Sequence, residues 1–300
     1  MSERTPPVGL VGVGLMGEAL AVRLLAAGLS VLGFDIDAAR TRRLAALGGE
    51  AAASAAELAL QSNPIVLAVY DTDQVEAVAE REVLPALGER SGKVLLCTST
   101  CDPDRIAELG ERVAARGLVL IEAPVSGTSE QVRRGEGVGL IGGDAAAAAA
   151  VRPVLDAMFP RHFHVGGIGD GGRAKLAVNL ILGLNRLALA EGLVFAERLG
   201  LDPTAFLKVA RASAACSQVM DTKGAKMIAR DFTPEGRARQ TLKDVHLMLN
   251  EARAAGLELP LLKVHAEVLD ACVRAGEGER DNCIVIEEIR RRGRPPMEET

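Results

Sequence analysis

Short apolar runs alternate with amphipathic stretches through the first half of the chain. Pro7–Val11, Ser30–Phe34, Ile65–Val69, Lys93–Cys97 and Leu118–Ile121 are mostly continuous in apolar character. Strands covered on both faces read this way, whereas half-exposed strands alternate. Between these runs, Met16–Ala27, Ala38–Leu47 and Pro103–Ala115 carry helical spacing. The rhythm predicts a doubly wound parallel sheet. Val138–Ile141 and His162–Val165 are predicted to close it, joined by one alanine-rich helix over Asp144–Met158, alanine being the best helix former.

After the glycine-rich break Gly166–Gly172 the strand signals stop. Helical spacing then runs through Leu176–Leu199, Pro203–Ser213, Ser217–Ala229, Thr241–Ala255 and Leu261–Ala275, with Gly200 and Gly256 where helices end. The fold class expected is α/β. A Rossmann-type doubly wound sheet spans residues 1–166 and an all-helical domain spans 167–290. The long helix is the joint between them, and residues 291–300 form a frayed tail. A length of 300 residues agrees with two domains.

Composition narrows the chemistry. With no Trp, one Tyr and six Phe, the core must be built from small aliphatic residues. A ligand pocket should then rely on backbone amides and aliphatic walls. A net charge of −5 gives no electrostatic reason to expect nucleic acid or an anionic membrane. The apolar stretch Leu176–Ala190 is interrupted by Asn179, Asn185 and Arg186, which reads as too short and too polar to span a bilayer. Met1–Pro7 lacks the layout of a signal peptide. The five cysteines, with no C-x-x-C, read as reduced thiols of a cytoplasmic protein. His162 and His164 form an H-x-H without a third ligand and read as a surface strand. The Arg292-Gly293-Arg294-Pro295 tetrapeptide, an AT-hook core in form, reads as solvated tail in an acidic chain.

Gly12-Val13-Gly14-Leu15-Met16-Gly17 is a G-x-G-x-x-G that follows a predicted strand and opens a predicted helix. Gly12 permits the tight turn, Gly14 lets a pyrophosphate approach the backbone, and Gly17 lets helix and strand pack closely. The helix start at Leu15 and Met16 offers its N–H groups and positive dipole end to phosphates. The next strand ends at Asp35, eighteen residues beyond Gly17, near the spacing of an acid that binds the ribose hydroxyls. Its charge repels a 2′-phosphate and favours NAD over NADP, while Arg40, Arg42 and Arg43 work in the other direction.

Two further segments carry chemistry. Glu122-Ala123-Pro124-Val125-Ser126-Gly127-Thr128 follows the last apolar strand of the parallel run, where ligands of open α/β sheets bind. Ser126 and the amides of Gly127 and Thr128 are candidates to hold a carboxylate. In Gly169-Asp170-Gly171-Gly172-Arg173-Ala174-Lys175, continuing to Asn179, Lys175 and Asn179 are spaced i, i+4 on one helix face. That face can look into a cleft between the domains. A partly desolvated lysine beside a cationic nicotinamide has a lowered pKa. It can take a hydroxyl proton as hydride leaves the same carbon, and return it in reverse.

These motifs resemble the 3-hydroxyisobutyrate dehydrogenase (β-hydroxyacid dehydrogenase) family, which includes tartronate semialdehyde reductases. Gly12–Gly17 is similar to its cofactor motif, Glu122–Thr128 to its D-A-P-V-S-G-G, and Gly169–Asn179 to its G-x-G-x-x-x-K-x-x-N-N. Ser99-Thr100 is similar to its nicotinamide-side pair and Lys243-Asp244 to its late K-D pair. The resemblance implies that Lys175 is the catalytic acid and base, Asn179 positions substrate, Ser126 and Gly127 cradle the carboxylate, and Thr100 and Lys243 lie near the nicotinamide. It also implies a small carboxylate-bearing hydroxy acid as substrate and a homodimer or homotetramer. Thr128 replaces the family's second glycine, and Val178 replaces the first asparagine of N-N. Ser217–Lys223 also departs from the family's pattern; together these changes leave the substrate open. Competing readings are an imine reductase, a decarboxylating 6-phosphogluconate-type enzyme, and a non-catalytic dinucleotide-binding oligomerisation module. Lys175 argues against the first and the last.

Overall fold

The computed structural model describes residues 5–88 and 92–292. The chain divides after Lys175 into two compact units, Met1–Lys175 and Leu176–Thr300.

The first unit is built on a sheet of nine strands: β1 Val8–Val11, β2 Val31–Phe34, β3 Glu50–Ala51, β4 Ile65–Leu67, β5 Val94–Cys97, β6 Val119–Glu122, β7 Val125–Ser126, β8 Val138–Gly142 and β9 Arg161–Gly166. Their spatial order is β3-β2-β1-β4-β5-β6-β8-β7, with β9 also on β8. The first six strands are parallel, and β8 runs antiparallel to β6. The helices of this unit are α1 Leu15–Ala26, α2 Ala38–Ala46, α3 Ala55–Gln61, α4 Thr72–Val78, α5 Leu84–Leu87, α6 Pro103–Ala114, α7 Ser129–Arg133, α8 Ala145–Ala150 and α9 Arg152–Met158.

Packing explains why the parallel strands read as continuous apolar runs. Leu10, Leu96 and Ile121 enter one core with Leu20, Leu24, Met158 and Phe159. Their neighbours Val11, Leu95, Cys97 and Leu120 enter a second core with Leu58, Ile106 and Leu109. Alternate residues of one strand thus face different helical layers, and neither face tolerates a polar residue.

The second unit is helical. It comprises most of α10 Asp170–Arg198, then α11 Pro203–Ala212, α12 Ala225–Ala229, α13 Ala238–Ala254, α14 Pro260–Arg274 and α15 Val285–Arg292. Its core joins Leu193, Met227, Val245, Leu262, Val268, Leu269, Ile284 and Ile286.

Several elements differ from the sequence pattern. The single helix expected over Asp144–Met158 is two, α8 and α9, broken at Val151. Pro153 has no N–H for the ladder, and its ring clashes with the preceding turn. The long helix starts at Asp170 rather than Leu176, so the Gly169–Lys175 motif forms its first turns. At 29 residues, α10 is long and apolar enough to cross a bilayer by length and composition alone. The length argument against a span therefore does not hold. The expected Ser217–Ala229 helix contains a π-helical turn, Met220–Gly224, ahead of α12. The frayed tail does not begin at residue 291. Helix α15 runs to Arg292, because Arg291 and Arg292 both pair with Glu288 one turn back (2.9 Å each). The rest of that tail, residues 293–300 with most of the Arg-Gly-Arg-Pro tetrapeptide, lies outside the described residues.

Candidate active site

The carboxyl ends of β2, β1, β4, β5 and β6 lie along one edge of the sheet. Chain order reverses there at β1, which has β2 on one side and β4 on the other. A crevice outside such a switch point is the usual ligand position in open α/β sheets. The glycine loop occupies it. Gly12 has φ +92°, and a Cβ there would sit 2.5 Å from the Ala68 carbonyl oxygen. A Cβ on Gly17 would sit 2.0 Å from the Gly12 oxygen, so α1 can press this close only with glycine. Gly14 is the N-cap of α1 and has no side chain to satisfy the amides of the first turn, which opens with Leu15 and Met16. Such a terminus accepts an anion's oxygens in their place.

Asp35 follows β2 and is buried. Its Oδ2 accepts the Val13 amide at 2.7 Å and the Arg40 guanidinium at 3.3 Å, and its Oδ1 accepts the Asp37 amide at 2.9 Å. The acid therefore ties β2 to the glycine loop and keeps lone pairs for hydroxyl donors. Arg40 also lies beside Gly14, whereas Arg43 pairs with Glu18. Ile36, next in the chain, is 95% exposed. An apolar side chain so placed offers a platform for a planar base, and the sequence reading passed over it.

Along the same edge, Thr98 donates to the Leu67 carbonyl (3.1 Å) and Ser99 to the Val69 carbonyl (2.7 Å), which fixes the loop carrying half-buried Thr100. Ser126, on β7, is half-buried. Gly127 has φ +145°. Thr128 has a different occupation from the one expected. Its hydroxyl accepts the Gln131 amide and its own amide donates to Gln131 Oε1 (2.9 Å), a capping box that starts α7. That amide is thus committed to the chain itself. The T-x-x-Q spacing was the signal for it.

Glu122, at the end of β6, holds the start of α10. Its carboxylate accepts the Gly169 amide at 2.5 Å and the Gly172 amide at 2.9 Å. Burial pushes its pKa up to about 7, against the lowering effect of the Gly169, Gly172 and Gly171 amides. Lys175 follows on α10 and is 7% exposed. Asn179 stands one turn further along that helix. In the helical unit its Nδ2 donates to Asp244 Oδ2 at 3.1 Å, and Asp244 Oδ1 lies 3.0 Å from Lys243 Nζ. Asn179, Asp244 and Lys243 therefore form one polar chain. Asp244 is buried and was not singled out from the sequence, although the K-D pair pointed to it.

Two family models cover nearly the whole chain. Residues 7–166 match the NAD binding domain of 6-phosphogluconate dehydrogenase, and residues 169–289 match the NAD-binding domain of NADP-dependent 3-hydroxyisobutyrate dehydrogenase. L-threonate dehydrogenase of Cupriavidus necator is 30% identical, covering 93% of this chain and 94% of its own. The 2-hydroxy-3-oxopropionate reductase of Escherichia coli is 29% identical over 94% and 96% of the two chains. The crystal structure of 3-hydroxyisobutyrate dehydrogenase from Salmonella typhimurium superposes with a TM-score of 0.86 at 29% identity, covering 93% of this chain and 98% of that one. The chain belongs to the 3-hydroxyisobutyrate dehydrogenase family.

Membership makes it an NAD(P)-dependent oxidoreductase of the β-hydroxyacid type. The residues present fit that cofactor: an uncapped helix start and glycines that no Cβ could replace lie beside a buried acid. Against the family's pattern, Thr128 supplies a helix cap where a second glycine is expected, and Val178 is half-buried on α10 where an asparagine is expected.

Proposed function

We propose that this enzyme transfers hydride between NAD and a small carboxylate-bearing β-hydroxy acid or its semialdehyde or keto form, with Lys175 as general acid and base. The observation that carries the reading is a buried lysine in the opening turns of the helix that Glu122 fastens to the sheet's carboxyl edge. The cofactor, when bound, supplies the hydride acceptor.

In the oxidative direction, Lys175 Nζ takes the hydroxyl proton as the carbinol carbon gives up its hydride and becomes a carbonyl. In reduction the same amine returns the proton to the carbonyl oxygen. Ser126 and the Gly127 amide hold the substrate carboxylate. Asn179, oriented by Asp244, hydrogen-bonds the substrate, and Lys243 adds positive charge to the same polar chain. At the other end Asp35 accepts the adenosine ribose hydroxyls and excludes a 2′-phosphate, so NAD is preferred. The Arg40 guanidinium is already engaged by Asp35, which holds it back from a 2′-phosphate. The working form is a cytoplasmic homodimer or homotetramer assembled through the helical unit, where Ile181, Phe195, Val209 and Leu261 leave apolar surface exposed.

Cofactor reduction across a panel of 2- and 3-hydroxy acids, with NAD and NADP separately, tests the reading. NAD-dependent turnover of a 3-hydroxy acid is expected. Lys175→Ala should lower kcat by roughly two to four orders of magnitude. Near-parental turnover in that variant would remove Lys175 from the chemistry.

A further inference from the structure

The Glu122 side chain leaves its own strand to bind the start of α10. Four glycines surround its carboxyl group. A Cβ on Gly142 would lie 2.8 Å from Oε2 and one on Gly172 3.1 Å from Oε1, while one on Gly171 would lie 2.9 Å from the Glu122 Cβ. Gly169, with φ +93°, turns the chain so that its amide meets Oε2. The space fits a carboxylate accepting amides and little else. The amides it accepts belong to the start of α10, where a negative group also meets the favourable end of the helix dipole. Lys175 lies on the same helix, one turn beyond Gly172.

We propose that Glu122 is the positioning residue for Lys175, its ionised carboxylate clamping the first turn of α10 so that the lysine amine is held at the reacting hydroxyl. This rests on the reading of Lys175 as acid and base. A merely structural role is a poor explanation of the group. Burial raises the Glu122 pKa to about 7, so the charged form is disfavoured by the fold it serves, and a neutral residue would relieve that penalty. The titratable groups facing it are Asp170 on α10, whose charge pushes the same way, and the Cys97 thiol, its partner across β5 and β6. Strand β8 presents Gly142 there. When Glu122 takes up a proton, its hydroxyl becomes a donor facing an amide donor, and one of the two clamped amides loses its acceptor. The clamp therefore loosens as pH falls through about 7.

Two measurements on the full-length protein test this. In the [15N]glycine-labelled parent, the Gly169 and Gly172 amide resonances should titrate together with a midpoint near 7, and Glu122→Gln should abolish that titration. The same variant should lower kcat on the order of 10- to 100-fold, the effect of a misplaced reacting group. KM values should change by less than about twofold, since uniform binding is untouched. Its unfolding midpoint at pH 8 should be no lower than the parent's, since the neutral side chain escapes the burial penalty. Glu122→Asp, which keeps the charge, should recover part of the rate. Static glycine amides, parental kcat in Glu122→Gln, or loss of activity in step with loss of folded protein would each overturn the proposal. If Lys175→Ala is itself near-parental, the reading of Lys175 fails and this proposal falls with it. An inactive Lys175→Ala beside a fully active Glu122→Gln sinks the clamp alone.

Discussion

Asp35 shows how far a single residue can be read. Its place after the second strand was legible, because the glycine fingerprint sets a spacing for an acid at the ribose. Its partners were not legible. The backbone had to bring the Val13 amide within 2.7 Å, and Arg40 had to turn back over α2 to reach the carboxylate. Of the three arginines in that helix, Arg40 meets the acid while Arg43 goes to Glu18. This predicts a specific response. Asp35→Ser should lower kcat/KM with NAD by roughly 10- to 100-fold, since a hydrogen bond to a charged group contributes about 1.5–3 kcal/mol. The same change should raise kcat/KM with NADP, because it removes the repelling charge and releases Arg40 toward a 2′-phosphate. Steady-state kinetics with both cofactors decide it. An unchanged cofactor ratio would mean that Asp35 serves the glycine loop and not the ribose. Thr128 is the opposite case. Its amide was a candidate to hold a carboxylate, yet Gln131 three positions on engages that amide in a helix cap.

At the scale of elements, long periodic segments were legible and short ones were not. Strand β3 has two residues and helices α3, α4 and α7 have five to seven, too few for a period to declare itself. The π-helical turn at Met220–Gly224 has no periodic signature, and its reason lies in tertiary contacts. Lys223 in that turn reaches Asp281 at 2.9 Å and Glu235 at 3.1 Å. Asp281 is fully buried, and burial alone would raise its pKa; Lys223 and the Glu235 and Cys283 amides outweigh that and hold it below the ordinary carboxylate range. One acid thus pins the turn to the segment before α15. Asp281→Ala should lower the unfolding free energy by about 3–5 kcal/mol, because it leaves a buried ammonium without its main partner. Joint replacement by Lys223→Met and Asp281→Leu should recover most of that loss. Urea denaturation checks both variants, and a single-variant loss below about 1 kcal/mol would show the pair to be dispensable.

For the molecule as a whole, two buried groups give its stability opposite responses to pH. Glu122, in the Met1–Lys175 unit, is raised by burial from 4.5 to about 7. The fold therefore holds its proton more tightly than the unfolded chain does. Its contribution is full below pH 4.5 and is lost as pH climbs toward 7. His265, in the helical unit, is lowered from 6.5 to about 4, by burial first and the neighbouring Arg186 charge second. Here the unfolded chain binds the proton more tightly. Stability is present above pH 6.5 and is lost as pH falls toward 4. Each group is worth about 3 kcal/mol over its window and about 1.4 kcal/mol per pH unit within it. Between pH 4.5 and 6.5 the two slopes cancel. Removing either group should expose the other. Relative to the parent, Glu122→Gln should grow more stable as pH rises across that window, and His265→Leu should grow less stable. Denaturant midpoints measured at several pH values read the two slopes directly. Parallel curves for parent and variants would mean that neither group is held away from its ordinary ionisation by the fold. Slopes of opposite sign would show one side chain in each unit kept in its neutral form by burial: an acid that the clamp on α10 needs ionised, and a base that the helical core keeps uncharged.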